Sequence, residues 1–169
     1  MPDYAHLMTS RASRKEYEEA VLHLLEFPEE MEVLWRYFTN GKTQERTRSA
    51  WVLQQLSDAN PALFVPWQRR FIDYAPQAKT DAEKRFISRL FSKHGLPKQE
   101  ELQGKLLDQT FTWLLDLGES IAVKANSLTV LHRFCKIHPE LENELREIIA
   151  DQYPNSTAAF KSRAKHILK

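Results

Sequence analysis

One eight-residue phrase occurs three times in this chain at constant phase. Arg46-Thr47-Arg48-Ser49-Ala50-Trp51-Val52-Leu53 returns as Lys124-Ala125-Asn126-Ser127-Leu128-Thr129-Val130-Leu131, and again as Lys161-Ser162-Arg163-Ala164-Lys165-His166-Ile167-Leu168. Each copy runs cation, small, polar, small, two variable positions, β-branched apolar, Leu. Recurrence at fixed phase is the mark of stacked units, each of which must bury an apolar face against the next. The chain is therefore expected to be an array.

Composition says what the units are made of. Hydrophobic content of 42%, with four Trp and nine Phe among 169 residues, excludes a disordered chain. Four Gly in all, with Leu, Glu, Lys, Arg, Gln and Ala abundant, favours helix nearly throughout. Period-2 alternation flanked by hairpin signals is missing, so no strand is expected. The single Cys135 permits no intrachain disulfide and suits a reducing, cytoplasmic setting. Met1-Pro2-Asp3-Tyr4 does not open like a secretory signal, and no apolar run is long enough to span a membrane.

Punctuation predicts about nine helices. Ser13 with Glu16 forms a capping box opening the first, which stops before Pro28. Pro28 opens the second, expected to end on a left-handed Gly41. The third runs from about Thr43 to Asn60. Pro61 starts the fourth, where Pro66 either kinks the helix or moves its true start later. Thr80 with Glu83 is a second capping box, and Gly95 closes that fifth helix. The sixth spans about 97–118, the seventh 120–137 and the eighth begins at Pro139, with Ser156 capping the ninth.

The repeat reaches beyond its phrase. Leu53, Leu56, Asn60, Pro61 and Leu63 match Leu131, Phe134, His138, Pro139 and Leu141, all displaced by 78 residues. A looser middle copy fits at Ile87, Leu90 and His94. Two steps over that distance imply an antiparallel helix pair of about 39 residues per unit. Small–apolar–cation phrases, helices ending at Asn/His-Pro and this period resemble the HEAT/armadillo class of α-solenoid. The tail from Ala159 to Lys169 is similar to the end of small bacterial HEAT-like proteins. The resemblance implies an all-α, α-α superhelix and a curved platform for binding proteins or, less often, nucleic acid. On this reading residues 1–169 form one domain: a capping helix pair at 14–42, repeat pairs at 43–156 and a capping helix at 157–169.

Charge is segregated within a net +1. Residues 1–40 carry 4 basic and 8 acidic groups, residues 41–99 carry 11 and 5, and residues 157–169 hold four cations and no acid. Arg46, Arg48, Lys84, Arg85, Lys124, Lys161 and Arg163 fall near the starts of the repeated helices. One reading is a basic ladder along one face, meeting phosphates or acidic partner segments. The other is that they pair between repeats and cover apolar surface, with Asp73, Asp81, Asp116 and Glu119 as partners. Trp51, Trp67 and Trp113 invite comparison with the HEAT-like DNA glycosylases, which use a basic groove lined with Trp and a catalytic Asp. No motif of that branch matches residue by residue, and Trp at helical spacing with Leu is ordinarily core.

Other chemistry has less support. His6, His23, His94, His132, His138 and His166 form no i,i+4 pair, and His138 occupies the helix-ending slot of Asn60. Cys135 beside Phe134 reads as a buried, inert thiol. No catalytic residue, metal or cofactor is expected. The expected function is a non-catalytic protein-binding scaffold, with nucleic-acid binding the alternative and self-association a third outcome.

Overall fold

The computed structural model describes residues 1–169. Ten α-helices form and no strand does. They are α1 (Tyr4–Thr9), α2 (Arg14–Glu26), α3 (Met31–Asn40), α4 (Thr43–Ala59), α5 (Gln68–Tyr74), α6 (Asp81–His94), α7 (Glu100–Leu115), α8 (Ile121–Ile137), α9 (Leu141–Gln152) and α10 (Ala158–Leu168). The helix beyond the expected nine is α1, a six-residue segment with Asp3 accepting from the His6 amide at its start.

Three helices stop in the same way. Phe27, Asn60 and His138 each precede a proline, and each leaves the helical region with φ between −148° and −124° and positive ψ. The proline ring disfavours the helical conformation in the residue before it. The expected capping boxes form at Ser13–Glu16 and at Thr80–Glu83.

Two local expectations, at Gly41 and Ser156, needed correction, and the alternatives left open at Pro66 are resolved. Pro61–Trp67 is 3-10 turn and α5 begins only at Gln68, so Pro66 displaces the helix start and does not kink a helix. Gly41 ends α3 with φ −70°, not left-handed. A Cβ there would lie 2.4 Å from the Tyr37 carbonyl oxygen, so close backbone approach is what demands glycine. Gly95 does have a positive φ, +97°. Ser156 does not cap α10; Thr157 takes the N-cap position, and the Ser156 hydroxyl donates to the Gln152 carbonyl.

The chain forms two compact units, Met1–Gln68 with Gln77–Phe86, and Arg69–Pro76 with Ile87–Lys169. In the first, α4 is central and packs on α1, α2, α3 and the 3-10 segment. It buries Ser49, Ala50, Val52, Leu53 and Leu56, more than one stripe, because neighbours stand on several sides. Phe38 and Phe64 meet Phe86 at 5.8 and 5.9 Å between ring centres, and Trp35 meets Trp67 at 6.1 Å.

In the second unit α8 takes the same central place, against α7, α9 and α10. Its core gathers Leu114, Leu128, Leu131, Cys135, Leu145, Ile149, Phe160, Ala164 and Ile167. Leu53 and Leu131 are each buried in their own unit, but Leu168 is exposed. Within its unit α10 packs on α8, α9 and the adjoining 3-10 turn, so it needs one stripe, and Phe160, Ala164 and Ile167 at i, i+4, i+7 supply it.

Candidate functional site

Each expected ladder cation has a definite place. Arg46 is buried on α4; its Nε donates to the Gly41 carbonyl at 2.7 Å and its Nη1 to Glu83 Oε1 at 2.6 Å. Glu83 is wholly buried, and its other oxygen accepts from the Thr80 amide and hydroxyl, both at 2.7 Å. The pair therefore closes α3, opens α6 and joins α4 to α6 within the first unit. Arg85 is exposed and pairs with Asp81 at 2.8 Å one turn earlier; Lys84 beside it is half-buried.

The second unit repeats the theme with weaker groups. Lys124 donates to Gln152 Oε1 at 3.3 Å, while the Gln152 amide donates to the Leu114 carbonyl at 2.8 Å. Lys161 stands 5.3 Å over the Tyr153 ring, a cation–π contact. Arg163 on α10 donates to the Thr129 hydroxyl on α8. Asn126 Nδ2 of α8 donates to Ser88 Oγ of α6 at 3.1 Å, and Arg133 Nη2 to the Ser92 carbonyl at 2.9 Å. Polar rungs thus link phrase-bearing helices. Of the expected acidic partners, Asp81 does hold a ladder cation, Arg85, whereas Asp73 meets Lys105 at 2.7 Å and Asp116 accepts from the Gly118 amide. Arg69 faces solvent and forks onto both oxygens of Glu101 at 3.2 Å.

The three tryptophans part company. Trp113 is buried in α7, and Trp67 is half-buried against Trp35. Trp51 is 40% exposed on α4, which corrects its expected core role. It meets Tyr17 of α2 edge to face, 5.4 Å between centres.

Around Trp51 the first unit carries a groove between α2 and α4. One cavity of about 390 Å³ is lined by Ala12, Arg14, Tyr17, Thr47, Arg48 and Trp51. A second of about 310 Å³ shares Arg14 and Trp51 and extends along Glu18, Leu22, Gln55 and Ala59. Leu22 is 64% exposed there. The walls are held from behind: the Tyr17 hydroxyl donates to the Leu7 carbonyl, and Arg48 Nη1 to the Met8 carbonyl, each at 2.7 Å. Both carbonyls belong to α1. Burial pushes the Tyr17 phenol above its ordinary range, against the opposing field of Arg48.

The sequence profile of the HEAT repeat domain matches residues 4–169. The chain belongs to the HEAT repeat domain family. No curated protein and no solved structure matches it. No helix of this HEAT repeat domain is long and apolar enough to cross a membrane.

Tyr17, Leu22 and Arg14 were not singled out from the sequence, although signals for two groove residues were there. Trp51 fills a slot that Thr129 and His166 fill in the other copies, a polar surface slot. Leu22 lies across the helix from the buried Ala20–Leu24 stripe of the HEAT domain's α2.

Proposed function

We propose that this HEAT repeat domain is a non-catalytic protein-binding scaffold whose contact face in the first unit is the α2–α4 groove. The observation that carries the reading is Trp51, exposed to 40% yet held edge to face against Tyr17. An exposed indole in a fixed orientation gains more on burial than it loses in side-chain freedom, and Trp, Tyr and Arg dominate interface energies. Leu22 extends the apolar area. Of the seven ladder cations, Arg48 lines this groove; the buried Arg46 is assigned to the fold. A single buried thiol suits a cytoplasmic setting.

Selection from a random library of displayed peptides tests the proposal. Peptides enriched on the wild-type protein are expected to lose binding at least about tenfold on Trp51→Ala, as hot-spot truncation does. Enrichment indifferent to Trp51→Ala removes this face from consideration. Nucleic-acid binding is the other reading. It predicts a duplex-DNA mobility shift with a steep salt slope that weakens on Arg48→Gln, whereas the scaffold reading predicts none.

A further inference from the structure

We propose that the α2–α4 groove takes an amphipathic helical segment of a partner protein, with a carboxylate docked at Arg14 and Arg48 and an apolar side chain docked at Trp51 and Leu22. The inference rests on the protein-binding reading above and adds the chemistry of the occupant.

The two ends of the groove differ in character. Of the six side chains around the first cavity, two are arginines and none is acidic. Arg48 is aimed by its bond to the Met8 carbonyl, so it meets a partner with little further ordering cost. Arg14 is largely exposed and holds Glu18 at 2.7 Å, a surface pair weak enough for a partner carboxylate to compete with. A guanidinium presents a planar fork that matches a carboxylate. A wholly apolar occupant would bury these charges without compensation, and a basic one would be repelled. The second cavity offers Val21, Leu22 and Ala59 beside Trp51, which suits an apolar anchor.

Spacing sets where a helical occupant carries its two anchors. Arg14 and Leu22 are eight positions apart on α2, about 12 Å along its axis. The two anchors of the occupant therefore stand about two helical turns apart on one face. A trough between two helices is the shape that receives an amphipathic helix.

The library selection decides between outcomes. Expected are Trp51-dependent peptides with Asp or Glu about seven or eight residues from an aliphatic or aromatic residue. A selected peptide should bind about five- to tenfold more tightly than its Glu→Gln twin at about 0.05 M salt, and the two should converge near 0.5 M. Fluorescence of the full chain reads the titration, with Trp51→Phe identifying the responding indole. Arg14→Gln should narrow the difference between the twins, leaving the part due to Arg48, and Arg14→Lys should restore some of it; Arg14 is solvated, so neither change threatens the fold.

Trp51-dependent peptides with no acidic bias, twins of equal affinity, or preference for a Lys-bearing twin would overturn the inference while leaving the scaffold standing. Duplex DNA displacing a selected peptide would also overturn it. The absence of any Trp51-dependent peptide would instead sink the scaffold reading and this inference with it.

Discussion

Arg46 and Glu83 form a buried ion pair, 2.6 Å between Nη1 and Oε1, that joins the central helix of the first unit to the start of α6. Each also serves a helix end: the guanidinium holds the Gly41 carbonyl, and the carboxylate holds the Thr80 amide. Removing one partner strands the other charge in a buried site. Arg46→Met should therefore destabilise by about 3–5 kcal/mol. Glu83→Gln should cost a comparable amount, since it strands the Arg46 guanidinium and replaces one of two oxygens that both accept hydrogen bonds. The shift of the urea midpoint at constant slope measures both, and a loss under 1 kcal/mol for Arg46→Met would show the pair to be marginal.

Glycine substitutions should separate by cause. Gly41→Ala places a methyl group 2.4 Å from a backbone carbonyl, and Gly95→Ala forces a φ of +97° on a side chain that resists it. Both should lower the melting temperature. Gly104 lies exposed inside α7 with open space where a Cβ would go. Gly104→Ala should raise stability by about 0.5–1 kcal/mol through the unfolded chain's lost freedom. Thermal melts of the three variants check the order.

A Tyr4–Glu30–His23 cluster ties α1 to the neighbouring segments: Tyr4 donates to Glu30 Oε2 at 2.8 Å, and His23 Nε2 lies 3.0 Å from the same oxygen. The Tyr4 hydrogen bond, then His23, holds the Glu30 carboxyl below its ordinary 4.5. On acidification the unfolded chain binds that proton first. The stabilisation is therefore complete above about pH 4.5 and disappears as pH falls through the folded value. Burial and Glu30 push the Tyr4 phenol upward, so its contribution is complete below pH 10 and fades as pH rises beyond it. Urea midpoints between about pH 3 and 6 should fall less steeply for Glu30→Gln than for the wild type. Equal slopes would refute the assignment.

Cys135 sits in the core of the second unit, where burial and then Glu142 raise its thiol above the ordinary range. The thiolate is the reactive form. Native protein at neutral pH should react with an aromatic disulfide reagent far more slowly than protein in urea. The native rate should track local opening of α8, so a destabilised Leu145→Ala variant should react faster. A fast native reaction would place the thiol outside the core.

The copies show where the sequence was legible. Val52 and Leu53 match Val130 and Leu131 because both copies lie on helices packed from several sides, and periodic burial writes itself into residue type. Caps at Ser13 and Thr80 and stops before Pro28, Pro61 and Pro139 were legible because their causes are local. The short α1 was not: its Leu7 and Met8 are buried by helices that follow much later in the chain.

The sequence by itself determined the long helices, their stops before Pro28, Pro61 and Pro139 and the HEAT repeat, since these depend on backbone sterics and on apolar residues recurring at helical spacing. Only the tertiary structure decided that Arg46 lies inside with Glu83 and that Trp51 faces water beside Tyr17. The reason is physical: a cation or an indole has no preferred side of a helix until neighbouring helices fix which face is covered. Arg46 and Arg48 are two residues apart, about 200° around α4, and that rotation separates a buried strut from the rim of a groove.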